Sequence, residues 1–149
     1  MATRSTAREP NGEGGWICPR CGRRFARTRQ THECSPAMSL DQYFSTGPPY
    51  ERPVFEAVHA YLCTLGPVHV EPVSVGIFIK RTGSFVELRP MTRWVAMSFP
   101  MPRRIDHPLI ARQPIVAGTR IYHVVNLAGP ADLVDPVRDW LAEAYDFVG

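Results

Sequence analysis

Three cysteines and one histidine crowd into the stretch WICPRCGRRFARTRQTHEC, with the spacing Cys18-x2-Cys21-x10-His32-x-Cys34. A segment this short has too little apolar surface to fold by hydrophobic burial alone. Its order must come from a cross-link or a bound ion. Two residues between Cys18 and Cys21 allow a tight turn that aims both sulfurs at one point. Gly22 supplies a position where φ > 0 costs little, so backbone amides can turn toward the sulfurs. Three thiolates and an imidazole are the soft and borderline donors that a tetrahedral structural zinc takes. The expected ligands are Cys18, Cys21, His32 and Cys34. A set of four protein ligands leaves no open position for water, so the ion is expected to be structural rather than catalytic. The HxC spacing is shorter than the three to five residues usual in common fingers, and it suits a helix end or an extended tail. Phe25 is placed to act as a miniature core. The fourth cysteine, Cys63, falls among Leu62 and Leu65 and reads as a small buried hydrophobe.

The N-terminal residues MATRSTAREPNGEGG contain no apolar run that resembles a signal peptide, and no apolar run approaches the roughly 20 residues that span a bilayer. The expected setting is the cytoplasm, without membrane association, where thiols stay reduced and cysteine clusters bind metal. Of 17 basic side chains only Lys80 is a lysine. An arginine bias of that kind often reflects a GC-rich genome, so its placement says more than its size. Residues 1–34 carry seven arginines against three glutamates, while the remaining 115 residues carry 10 basic and 11 acidic groups. The positive charge therefore belongs to the finger segment. Arg20, Arg23, Arg24, Arg27 and Arg29 are the candidate phosphate contacts, and Trp16 and Phe25 are candidate stacking partners for bases. The implied partner is DNA or RNA. The competing reading is a finger that docks on its own domain or on a partner protein.

Beyond the finger the pattern changes. Ser39 can cap a short helix carrying Leu40, Tyr43 and Phe44. Glu51 to Leu65 is expected as a second helix, with Pro53 in its first turn and Val54, Phe55, Val58, Tyr61, Leu62 and Leu65 on one face. Gly66-Pro67 ends it. VHVEPVSVGIFIK, SFVELRP, RWVAMSFPM and TRIYHVVNL read as strands. Thr82-Gly83-Ser84 reads as a hairpin turn. Phe85, Glu87 and Arg89 are expected on one side of their strand, with Val86 and Leu88 on the other. Arg93-Trp94 is expected to begin a strand, residues 100–114 to form a long loop, and Asp135 to cap a last helix from near Pro136. That helix should pack Val137, Trp140, Leu141 and Ala144 on the sheet. The expected fold class is α+β: an antiparallel sheet packed by about three helices, with a small N-terminal zinc-finger module. The expected division is a disordered tail over 1–15, the finger over 16–38 and the α+β domain over 39–149. Finger and domain are expected to melt independently.

No catalytic constellation is evident. Glu71, Lys80 and Glu87 fall near one another along a strand meander. However, Glu87-x-Arg89 offers arginine where metal-dependent nucleases need lysine, and arginine does not give up its proton. These charges read better as the solvent face of a sheet. His69 and His123 read as structural histidines. There is no Gly-rich phosphate loop and no nucleophile elbow.

CPRCGRRFARTRQTHEC followed by SLDQYF, VSVGIFIKRTGSFVELRP, RWVAMSFPMPRRIDHP and DWLAEAY resembles the bacterial family named domain of unknown function 5655, over most of residues 18–146. The resemblance implies a compact α+β domain of the kind found attached to nuclease-like or DNA-handling proteins. Within the finger it supports Cys18, Cys21, His32 and Cys34 as ligands. It brings no catalytic residues.

The leading expectation is a zinc-binding, non-enzymatic protein associated with nucleic acid or regulation, its finger arginines set against phosphate. The second is a protein-interaction or small-ligand module using a sheet face with Lys80, Glu87, Arg89, Arg93 and Trp94. An enzyme is the third.

Overall fold

The computed structural model describes residues 15–32, 34 and 38–149. The tail expected over 1–15 lies, except for Gly15, outside the described residues. Two short strands, β1 (Trp16–Ile17) and β2 (Arg24–Phe25), pair antiparallel in the finger. Helices α1 (Leu40–Phe44) and α2 (Glu51–Leu65) follow. Strands β3 (His69–Val73), β4 (Gly76–Lys80), β5 (Ser84–Pro90), β6 (Val95–Met101), β7 (Ile115–Ala117) and β8 (Arg120–Leu127) come next, and a 3-10 turn (Pro130–Asp132) and α3 (Asp135–Val148) complete the chain. The six long-sheet strands lie in the order β3-β4-β5-β6-β8-β7, each pair antiparallel. The fold is α+β, as the pattern of elements predicts. No helix among the described residues is long and apolar enough to cross a membrane.

Local chemistry accounts for the elements. Ser39 Oγ accepts the Gln42 amide, and Gln42 Oε1 accepts the Ser39 amide, each at 3.0 Å, which closes a capping box on α1. The Tyr43 hydroxyl donates to the buried Glu51 carboxylate and ties α1 to the start of α2. Helix α2 buries Val54, Phe55, Val58 and Leu62. It stops at Gly66, whose φ of 152° and tight approach to Tyr145 exclude a side chain. Across the sheet Ile77 pairs with Leu88, Leu88 with Met97 and Met97 with Val125, all four buried. This row carries α2 and α3, which deliver Val58, Leu62, Val137, Trp140, Leu141 and Ala144 to the same core. The row behind it, Phe78–Glu87–Ser98–Val124, points the other way and is only half-buried.

Several expectations change. The register slips between Ile79 and Lys80, because Ile79 pairs with Val86 and Lys80 with Ser84. Phe85 is the extra residue of this bulge. Both Phe85 and Val86 therefore enter the core, and Phe85 meets the Tyr145 ring edge-on instead of sharing a side with Glu87 and Arg89. Strand β6 begins at Val95, leaving Arg93 and Trp94 in the preceding turn, and it runs on through Pro100 and Met101. Strand β7, within a stretch too short and exposed to show a period, pairs with β8 across Gly118-Thr119, where Gly118 has φ 63°. Val134, not Asp135, is the N-cap of α3, with no side-chain cap. Asp135 takes the first helical position and pairs with Arg138. Cys63 is exposed, not buried. One residue past Leu62, it is rotated about 100° off the buried stripe, and its sulfur lies 3.5 Å from His59 Nε2.

Candidate metal centre

The finger is built on a turn. The Cys18 amide donates to the Arg23 carbonyl at 2.9 Å and the Gly22 amide to the Cys18 carbonyl at 2.8 Å, with Gly22 at φ 75°. This places Cys18 and Cys21 on the same side, both buried. Phe25 packs behind them with Trp16. The chain then reverses through Arg29, whose φ of 57° is left-handed. The Arg27 amide donates to Gln30 Oε1 at 3.2 Å. That reversal returns His32 and Cys34 to the first two sulfurs.

The four ligand atoms all lie within 4.8 Å of one another. Cys18 Sγ is 3.8 Å from Cys34 Sγ, and His32 Nε2 is 3.4 Å from Cys21 Sγ and 3.2 Å from Cys34 Sγ. Donors held about 2.0–2.3 Å from one tetrahedral ion sit roughly 3.3–3.8 Å apart, so these separations fit a single ion. The other ring nitrogen of His32, Nδ1, lies 2.6 Å from the Gln30 carbonyl. Donation to that carbonyl fixes the tautomer that turns the Nε2 lone pair toward the sulfurs. The His32 ring also stacks on Phe25, centroids 4.0 Å apart. Burial by itself raises the Cys18 thiol, but the backbone amides of Arg20 and Cys21 together with the Cys21 and His32 side chains more than offset this and bring it down to about 6. Desolvation raises Cys34, and the neighbouring Cys18 and Cys21 sulfurs add to the rise. The Cys3His cluster can hold a metal ion, with all four positions filled by protein.

A second cluster joins the finger to the sheet. Glu71 on β3 is buried, and each of its oxygens takes two donors. Oε1 takes Arg23 Nε at 3.0 Å and Lys80 Nζ at 2.9 Å, and Oε2 takes the Arg24 amide at 2.8 Å and His69 Nε2 at 3.0 Å. Burial would raise this carboxyl, yet the four donors hold it well below the usual carboxylate range. Lys80 also donates to the Arg24 carbonyl at 2.6 Å, and its ammonium lies 4.2 Å from the Phe25 centroid. Burial lowers Lys80, and Glu71 pulls back part of that drop.

These contacts revise the sequence reading of several residues. Arg23, expected at phosphate, is buried against Glu71. Phe25, expected as a stacking platform, is buried between finger and sheet. Lys80, expected on an open sheet face, is 1% exposed. Glu71 and Lys80 are buried rather than scattered on a solvent face. Arg20, Arg27 and Arg29 are exposed, and Arg24 is half-buried. Arg20 and Arg29 line one open hollow above the cluster with Trp16, His32 and Cys34. Glu87 and Arg89 pair with each other at 2.5 Å on the outer sheet face, and Arg93 and Trp94 are exposed in the turn before β6. His123 is a structural histidine. Its Nε2 accepts the Ile105 amide at 2.9 Å and its Nδ1 lies 3.0 Å from the Ile121 carbonyl. His69, exposed at its ring, serves Glu71. Sequence reasoning put Glu71 on a solvent face and gave it none of these partners. A lone glutamate in a strand has no local signal, because its four donors come from β3, β4 and the finger.

No curated protein and no solved structure matches the chain. Residues 40–148 match the family described as "Domain of unknown function (DUF5655)". The match begins at Leu40, so the finger lies outside it and the ligand set rests on geometry. With a match over most of its length, the chain belongs to the DUF5655 family.

Proposed function

We propose that the protein is a non-enzymatic zinc protein whose metal-ordered finger presents arginines to a nucleic-acid phosphate backbone. Three thiolates and an imidazole, closed to solvent ligands, form a donor set that favours zinc over harder divalent ions. The observation that carries the nucleic-acid reading is the pairing of the arginines. Among the described residues no carboxylate lies within ion-pairing distance of Arg20, Arg27 or Arg29, whereas Arg89, Arg103 and Arg138 each hold one and Arg52 holds two. Arg20 and Arg29 share their hollow with Trp16, a ring able to stack on a base. The test is binding of the zinc-loaded chain to short DNA and RNA duplexes and single strands across a salt series. Affinity that falls steeply with salt, and less steeply for Arg20→Ala/Arg29→Ala, supports the reading. Absence of binding at low salt ends it.

A second reading has its own observation. On the outer sheet face Arg89 pairs with Ala96 and Ala96 with Asn126, whose Oδ1 is buried without a hydrogen-bond partner among the described residues. An orphaned acceptor in the same cross-strand row as Arg89 suits a small ligand or a protein contact. Binding that survives high salt and is lost in Trp94→Ala would favour this face.

A further inference from the structure

We propose that Arg23, Glu71 and Lys80 are the outer shell of the metal centre, so that metal occupancy and docking of the finger on β3 and β4 form one linked equilibrium. The inference rests on the reading of the Cys3His cluster as a metal site and adds a consequence for the α+β domain.

The first ground is who satisfies whom. Of the four donors to Glu71, two come from the finger turn: Arg23 Nε and the Arg24 amide. The acceptor at the Arg24 carbonyl and the Phe25 ring are the finger's contributions to Lys80. Glu71 and Lys80 are both buried on sheet strands that belong to the domain. Without an ion, a Cys/His turn of this size loses the constraint that orders it. It would then leave a buried carboxylate and a buried ammonium short of half their partners, a costly state for charged groups.

The second ground is charge. A divalent ion with three thiolates and a neutral imidazole carries a net charge of −1. Arg23, Lys80 and Glu71 together carry +1, and they sit behind the ligands through Phe25, which touches both His32 and Lys80. The two buried groups therefore neutralise each other. The third ground is fit. The β4–β5 turn approaches the finger so closely at Gly83 that an added Cβ would come within 2.9 Å of Ala26 Cβ. The finger is thus seated on the sheet rather than tethered to it, and the linked equilibrium would have the two melt together rather than independently.

Linkage is reciprocal. If the ion stabilises docking, residues that hold the dock must tighten the ion by the same factor. Arg23 and Lys80 are positioning residues, since neither is a ligand. The test uses the full chain loaded with zinc, and with cobalt as a spectroscopic probe. Metal content is measured first, and a wild-type chain that takes up no metal overturns the metal reading and this inference with it. With metal bound, chelation is expected to lower the domain's melting midpoint by about 5 °C and to raise amide exchange along His69–Val73. Arg23→Met and Lys80→Met are expected to weaken metal affinity about tenfold and to shift the thiolate-to-cobalt absorption. Arg103→Ala, at an exposed pair with Glu143, is expected to change neither. Lys80→Met takes a donor from Glu71 on the sheet side and so also perturbs the domain; Arg23→Met, on the finger side, leaves the sheet whole and answers the question by itself. Complete metal removal that moves neither the midpoint nor β3 exchange overturns the linkage while leaving the metal site standing. Arg23→Met with wild-type affinity overturns it equally.

Discussion

Lys80 and Glu71 meet at 2.9 Å on neighbouring strands, both about 1% exposed, and the pair is closed over by the finger rather than by a helix. Helices α2 and α3 occupy the opposite face of the sheet. The Cys/His turn therefore serves as the second layer for one corner of the domain. The predictions below follow from that arrangement and from the groups around it.

Breaking this pair from one side leaves a buried charge short of its closest counter-charge, and loss of a partner from a buried pair typically costs about 3–5 kcal/mol. Glu71→Leu and Lys80→Met are each expected to lower unfolding free energy by roughly that amount. The double variant is expected to lose less than the sum. A double-mutant cycle from urea melts of the metal-loaded chain checks it, and strict additivity of the two singles would sink the claim.

Stability should depend on pH in two windows. The Glu71 carboxyl is held below its unfolded value by its donors. Its contribution is fully present above the unfolded value of about 4.3, and it is lost as pH falls toward the folded value. His123 is lowered by burial, with Arg104 and Arg103 adding to the drop against the Ile121 carbonyl. Its neutral ring is accommodated without cost above the unfolded value of about 6.5, and below that the unfolded chain gains a proton that the folded chain resists. The slope of unfolding free energy between pH 6.5 and 5 is expected to flatten in His123→Gln, and the slope below pH 4 in Glu71→Gln. Chemical denaturation at stepped pH measures both, and unchanged slopes would count against these assignments.

Cys21→Ser is expected to abolish stoichiometric metal binding, because one of four ligands is lost from a closed site. Cys63→Ser, whose thiol is exposed on α2 away from the cluster, is expected to keep one ion per chain. Metal content of the purified variants decides it. Retention of a full equivalent by Cys21→Ser would refute the ligand set.

Removing Arg20 or Arg29 is expected to reduce the dependence of log affinity on log salt by about one unit each. Removal of Arg103, already engaged with Glu143, is expected to leave the slope unchanged. Fluorescence titrations of labelled oligonucleotides at four or more salt concentrations provide the slopes. Equal slopes for all three variants would remove the finger surface from consideration.

The sequence by itself determined most of the local elements and singled out the four side chains of the Cys/His cluster. Ser39 and Gln42 announce a capping box, Gly66-Pro67 a helix end, and period-two apolar runs the strands, because capping, backbone freedom and face alternation are properties of neighbours in sequence. Cys18, Cys21, His32 and Cys34 announce themselves by donor chemistry and spacing. Only the tertiary structure decided what Arg23, Phe25, Glu71 and Lys80 do. Glu71 lies 48 positions from Arg23 and 47 from Arg24, its partners across the seam. Lys80 bonds Arg24 from 56 positions away. An arginine at phosphate and an arginine buried against a carboxylate look alike in sequence. What separates them is whether the fold brings an unpaired charge within reach, and that is settled by the register of β3 with β4 and by the seating of the finger on them. The bulge at Phe85 has the same character. One extra residue in a strand leaves no mark on the pattern until its partner strand fixes the count.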